Sequence, residues 1–324
     1  MSAYLPGIAT VALMYGALGL SLNLQVGRTG IINFGHIAFF GVGVYTTAML
    51  SLRGVPLWLS VPAAAVVGGL CALPLGWAAT RLTSHYLAIV TIGFAEALRV
   101  VLLNLDVTGG PSGLVGVPRP LGDTPLETFS MAWLGVAAGL LALTYGLVRL
   151  FTRGLLGLSL TGIHDDEPAA AMLGRNVAAY KTLVLAWGSM LAALTGAFYV
   201  HWIGYASTEQ FDPRVTFYLW AGIVVGGASN SGAWLGSAAI AGLFEATRFI
   251  GDLGFTALSE TQIASLRWVI IGLVLILTMR FRPQGLLPVR TRLSRAGLSR
   301  SAAPTGSPAP APRGDRRAEE SADA

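Results

Sequence analysis

Charge is what this 324-residue sequence has least of. Asp, Glu, Lys and Arg together make up 11% of it, against about 25% in an average soluble domain. Hydrophobic residues make up 54%. So few charges cannot clothe the water-facing surface of a 33.8 kDa protein. That excludes a soluble globular enzyme, a disordered protein and an ordinary nucleic-acid binder, and it points to a polytopic membrane protein. Cysteine occurs once, as Cys71, which excludes an intramolecular disulfide and a cysteine metal cluster. Lysine occurs once, as Lys181; the other basic residues are all arginine. No His, Cys, Asp and Glu spacing suggests a metal site, and no Ser–His–Asp set or phosphate-cradling glycine loop is present. The start, MSAYLPGIAT, lacks the positive segment of a signal peptide. Its first apolar stretch is therefore expected to stay as a span.

The formal charge of +5 is not spread over the chain. From Arg280 onward there are nine arginines and four acids, while residues 1–279 hold twelve basic and twelve acidic groups. The excess lies in the tail and bears on topology, not on ligand. Nine apolar stretches suit a bilayer core of about 30 Å: 4–27, 29–52, 56–80, 85–105, 129–151, 182–203, 215–229, 231–250 and 265–281. The second is broken by Gly35, Gly41 and Gly43, and the seventh is short, so eight to ten crossings are open. The expected fold is an all-α bundle of about nine transmembrane helices.

Arginine placement puts the tail, the 152–181 loop, Arg28 and Arg81 in the cytoplasm, and Arg53, Arg119 and Arg214 outside. The expected domains are a membrane domain over 1–288 and a disordered cytoplasmic tail over 289–324, whose Ser, Ala, Pro and Arg cannot bury a core. The tail arginines can also touch anionic lipid headgroups. An echo, Glu96-Ala97-Leu98-Arg99 and Glu245-Ala246-Thr247-Arg248, raises an internal repeat of the kind transporters use, with chance coincidence equally open.

Intramembrane charge costs roughly 2.5–3.5 kcal/mol per residue on insertion scales. Glu96 and Glu245 therefore face either a polar translocation path or a structural ion pair with the arginine three residues on. Asn23, Asn33 and His36 form a polar patch in apolar spans; a path role and interhelical hydrogen bonds are both open, the second being the commoner outcome. His85 and His201, near span ends, are expected at the interface. In the 152–181 loop, acids at 165–167 precede Pro168, a helix-favouring AAAML run and Gly174. That pattern predicts a short capped helix, suited to a docking partner or simply ordering the loop.

Several motifs carry a resemblance. They are LSLNL at 20–24, GRTGIINFGHIAFFGVGVYT at 27–46, TIGFAEALR at 91–99, TGGPSGLVGVP at 108–118, GIHDDEPAAAMLGRNVAAYK at 162–181, VVGG at 224–227 and FRPQGLLP at 281–288. In that order, over roughly residues 15–288, they resemble the permease subunits of ATP-binding-cassette (ABC) importers for branched-chain and other hydrophobic amino acids. The resemblance implies a coupling helix that fits a groove on an ATPase subunit. Here it would span Gly162, Ile163, His164, Asp165, Asp166, Glu167, Ala169, Ala170, Met172, Leu173 and Gly174, with Pro168 a departure from the family pattern. The turn at Gly226-Gly227 is about a residue shorter than the family form. The resemblance also implies ATPase partners that hold ATP and Mg, a second homologous permease and an external solute-binding protein. It implies no cofactor and no bond chemistry in this chain, and a place in a bacterial inner membrane. Relatives of this kind also move urea, amides and aromatic acids. The rival classes are an ion-coupled secondary transporter using Glu96 and Glu245, and an intramembrane enzyme, for which no nucleophile is visible.

Overall fold

A computed structural model describes residues 4–246, 260–282 and 284–287 of the chain. The described residues are almost wholly helical. In chain order the helices are α1 (Tyr4–Thr29), α2 (His36–Leu52), α3 (Leu57–Cys71), α4 (Leu73–Ala79), α5 (Ser84–Asn104), α6 (Leu126–Phe151), α7 (Gly154–Asp165), α8 (Glu167–Met172), α9 (Val177–Ile203), α10 (Arg214–Gly226), α11 (Asn230–Ala246) and α12 (Glu260–Phe281). The two strands are β1 (Leu114–Val115) and β2 (Tyr205–Ala206), which pair antiparallel, Leu114 opposite Ala206.

Among the described residues, five stretches are long and apolar enough to cross a membrane: Tyr4–Thr29, Leu57–Ala79, Ser84–Asn104, Leu126–Phe151 and Val177–Ile203. The chain is thus an all-α multi-pass membrane protein. α2, α10 and residues 268–281 are apolar but shorter. Each stretch expected to span holds a helix, yet several differ in extent. The third is two helices, interrupted at Ala72, just before Pro74 lacks the N–H that would continue the ladder. The second starts only at His36, because residues 30–35 are not helical. Gly41 and Gly43 lie inside that helix and do not break it. The eighth is helical to Ala246; residues 247–250 of that stretch and the 289–324 tail lie outside the described residues. Arg248 does too, so the echo of Glu96–Arg99 has only its first half on view.

α1 is the axis of the bundle. It packs on α6, α9, α10 and α11, while α2 packs on α9, α3 and α5. Tyr45, Phe39, Phe40 and Phe211 are the largest side chains buried completely. The α2–α9 contact relies on two glycines. A Cβ at Gly196 would overlap the Phe40 carbonyl, and one at Gly43 would overlap the Ala193 carbonyl. Close approach of this kind is how helices associate where lipid is as apolar as leucine. Both obstacles are backbone, so neither can swing aside. Replacing Gly196 with Val is expected to destabilise the bundle by about 1–3 kcal/mol or more, the usual cost of overpacking. A lowered thermal midpoint in detergent checks this; an unchanged midpoint would show that α2 and α9 are free to part.

Candidate functional site

The site grows from the missing helix between α1 and α2. The α1 helix ends at Thr29, and the chain then folds back along it. His36, the first residue of α2, reaches Ser21 of α1 at 2.8 Å between Nε2 and Oγ. Ser21 lies eight residues before the end of α1, so α2 begins about 12 Å up the bundle at 1.5 Å per residue. Residues 30–35 are therefore a re-entrant segment. Such backbone survives at membrane depth only where protein or water satisfies it.

Here the satisfying groups come from four helices. Asn33 donates from Nδ2 to Gln25 Oε1 at 2.9 Å, and Gln25 Nε2 donates to the Leu185 carbonyl. Asn33 Oδ1 takes the Gly35 amide at 2.9 Å. The Phe34 amide donates to Thr91 Oγ1 of α5 at 3.1 Å. Trp220 of α10 donates from Nε1 to the Asn33 carbonyl at 3.2 Å, and the Ile37 amide donates to Thr216 Oγ1 at 3.3 Å. Asn23 donates to the Ala228 carbonyl at 3.1 Å. Asn23, Gln25, Asn33, His36, Thr91 and Thr216 are all fully buried. Of the predicted trio, Asn33 and His36 are tied to one face of α1 through Gln25 and Ser21, while Asn23 bonds apart from them to the Ala228 carbonyl. Ser21, Gln25, Thr91, Thr216 and Trp220 complete the network. For Ser21 and Gln25 a signal was available, since they lie four residues apart on one face of an apolar span.

Ser21 donates its own proton to the Leu18 carbonyl at 2.7 Å. His36 must then donate through Nε2, which assigns the tautomer and leaves Nδ1 bare. Nδ1 of His36 and Oδ1 of Asn23 are buried with no hydrogen-bond partner among the described residues.

The foot of the segment meets the helices that follow α6. His164 Nδ1 lies 3.1 Å from where a Cβ on Gly30 would sit, so α7 presses on the first residue after α1. A cleft of about 170 Å³ opens there, lined by Gly30, Ile31, Ser84, His164, Glu167 and Lys181. Lys181 and Glu167 form an ion pair across it at 2.6 Å. The single capped helix expected over Gly162–Gly174 is in fact two. α7 ends at Asp165, and Asp166 caps α8 by accepting the Ala169 amide at 2.9 Å. Gly162, Ile163 and His164 belong to the last turn of α7, and Ile163 is buried. Glu167, Ala169, Ala170 and Met172 belong to α8, while Leu173 and Gly174 (φ +78°) turn the chain back. Met172 is 90% exposed and Leu173 82%.

The predicted acids lie apart from this network. Glu96 takes a bidentate pair of bonds from Arg99, at 2.6 and 3.0 Å, with its side chain 45% exposed on α5. Glu245 of α11 lines a second, smaller cavity, of about 80 Å³, with Tyr15, Tyr218 and Ser237. His201, in the last turn of α9, is covered by protein: its Nδ1 meets the Pro118 carbonyl at 2.7 Å because the 106–118 connection folds over the end of α9. Among the described residues no group of three or more His, Cys, Asp and Glu converges.

An apolar helical bundle built around an irregular polar segment is a construction that transporters use. Residues 4–279 match the family described as the permease component of the branched-chain amino acid transport system, and the chain belongs to that family. It is similar to the high-affinity branched-chain amino acid transport system permease protein LivM of Salmonella typhimurium, at 29% identity over 87% of this chain and 69% of that one. The LivM of Escherichia coli is 28% identical over the same shares. A probable branched-chain amino acid transport permease protein LivM of Methanocaldococcus jannaschii is 22% identical over 85% of this chain and 90% of its own. No solved structure matches the chain.

Proposed function

We propose that this chain forms the translocation path of an ATP-binding-cassette importer for branched-chain or other hydrophobic amino acids, in the inner membrane of a bacterium. One observation carries the reading: the apolar tip of α8, Met172 and Leu173, stands free while its other end abuts the re-entrant segment through α7 and Gly30. A free apolar tip outside the spans suits a groove on an ATPase subunit. Contact with Gly30 gives motion of that tip a route to Asn33 and His36. ATP and Mg would belong to the ATPase partners; this chain holds no cofactor and makes no bond. A solute-binding protein would deliver the solute on the other side. A second homologous permease would cover α5, which is the least buried of the five long helices.

The nine helix-bearing stretches would make nine crossings, with the tail in the cytoplasm. The bundle would alternate between two states, each stabilised by its own contacts with nucleotide-bound or nucleotide-free partners. The ion-coupled reading needs an acid free to carry a proton, and the Glu96 carboxylate is held by Arg99.

The test is an affinity pull-down of the tagged chain from its native membrane, with mass spectrometry of what accompanies it and leucine uptake by the reconstituted assembly. An ATPase, a second permease and ATP-dependent uptake are expected. A chain that comes out alone and still drives uptake without ATP would sink the reading.

A further inference from the structure

Ser237, Ala241 and Glu245 lie at i, i+4 and i+8 on one face of α11. With α1 and α10, that face encloses the cavity of about 80 Å³. Every side chain that lines it is buried or half-buried, so the space lies inside the bundle and not on its flank. α11 runs antiparallel to α1: a Cβ on Gly19 would meet Ser237, and one on Gly242 would meet Ala12. The cavity therefore occupies the end of the bundle away from α7 and from the re-entrant segment.

Three features of the lining define what would fit. Ser237 is 2% exposed, and its Oγ has no hydrogen-bond partner among the described residues. A buried hydroxyl is costly to leave unpaired. Glu245 stands eight residues on, about 12 Å along the helix, and helical side chains lean toward the N-terminus, so its carboxylate reaches back toward Ser237. A carboxylate has about four acceptor sites, so Glu245 can take an ammonium beside its other contacts. The walls between are aliphatic: Val11, Val215, Leu219, Ile240 and Ala241. The volume holds roughly five to eight water-sized atoms. An ammonium, an acceptor one carbon away and a short aliphatic chain satisfy all three features. A charged side chain would meet only the aliphatic wall, and an aromatic one is too large.

On the premise of the importer reading above, we propose that this cavity between α1, α10 and α11 is where the chain receives an aliphatic amino acid. The ammonium sits on Glu245, the carboxylate turns toward the Ser237 hydroxyl, and the side chain lies on the aliphatic wall. Ala241, between the two polar residues on the α11 face, leaves the room and so sets the size limit. One methylene in an apolar pocket discriminates by about tenfold to 200-fold, so the cavity sorts solutes a second time, after the binding protein has released them.

The experiment measures equilibrium binding of labelled leucine to the co-purified complex in proteoliposomes, without binding protein or nucleotide. Saturable binding is expected, displaced by valine and not by aspartate. Glu245→Gln should weaken it about tenfold or more, the loss of a charged hydrogen bond. Ala241→Leu fills the space and should also weaken leucine about tenfold or more, while glycine, with no side chain to place, competes as before. Both variants should keep their ATPase and their thermal midpoint, which separates loss of a ligand from loss of the fold. Should either midpoint fall, Ser237→Ala, which removes one oxygen, takes its place and should weaken leucine about threefold or more. A complex that takes up leucine with ATP yet shows no such binding, or binds leucine as tightly in the variants, would overturn the role of the cavity alone. A wild-type complex that takes up no leucine would overturn the importer reading itself.

Discussion

Aspartate at both Met172 and Leu173 is expected to abolish co-purification of ATPase subunits and all ATP-dependent uptake, while the chain still inserts and folds. Both side chains are over four-fifths exposed in the isolated chain, so their loss removes nothing from its core. Seated in a partner's groove, each would contribute about 1.5–3 kcal/mol through area removed from water. Losing both therefore weakens association by about 3–6 kcal/mol, which is roughly 10²–10⁴-fold in affinity. Charge in place of apolar surface adds a desolvation cost. Pull-down yield and trypsin resistance of the membrane-inserted chain read the two halves separately. Retained ATPase with the double aspartate would remove α8 from the interface. Glu167→Ala and Gly174→Ala should act in the same direction more weakly. Glu167 would lose its pair with Lys181, an interaction of under about 1 kcal/mol at such exposure, and a side chain at Gly174 would strain a left-handed turn.

The second large effect is expected at Gly35. Its φ is an ordinary −95°, so the constraint is space and not backbone freedom. A Cβ there would overlap the Thr91 carbonyl, and Thr91 is the residue that receives the Phe34 amide. Gly35→Val must push α5 away from the re-entrant segment. That combines about 1–3 kcal/mol of overpacking with about 1–3 kcal/mol for a buried amide left without its acceptor. Uptake should fall to background and the thermal midpoint should drop. Gly35→Ala should lie between the variant and the wild type. A functional Gly35→Val chain would show that residues 30–35 leave the bundle during transport.

Much of this was legible in the sequence for simple reasons. Apolar stretches of membrane length have one stable form in lipid, so the helices could be placed from composition alone. Asn23, Asn33 and His36 could be picked out because polar groups there require partners. What stayed hidden depended on neighbours distant in the chain. Gly35, Gly41 and Gly43 look alike as letters. Only the first lies at the break, while Gly41 faces Phe211 and Gly43 faces Ala193 from other segments. Asp165, Asp166, Glu167 and Pro168 did mark a helix start, but for the six-residue α8 alone. The helix before it, GLLGLSLTGIHD, has the glycines of a loop. It is held by burying Leu160 and Ile163 under α1 and its neighbours. His201 near a helix end suggested a wet interface; the Pro118 carbonyl that covers it is 83 residues earlier in the chain.

The two-residue pairing of β1 with β2 has a mechanical consequence. Leu114 and Val115 follow α5, and Tyr205 and Ala206 precede α10. The pairing is locked by Gly113, whose φ of +67° brings it so near the Ala206 carbonyl that no side chain would fit. The β1–β2 crosspiece thus ties the connection that follows α5 to the turn that leaves α9. Load applied to either connection is shared by both. A protein that presses on this crosspiece would load the connections of α5 and α9 together.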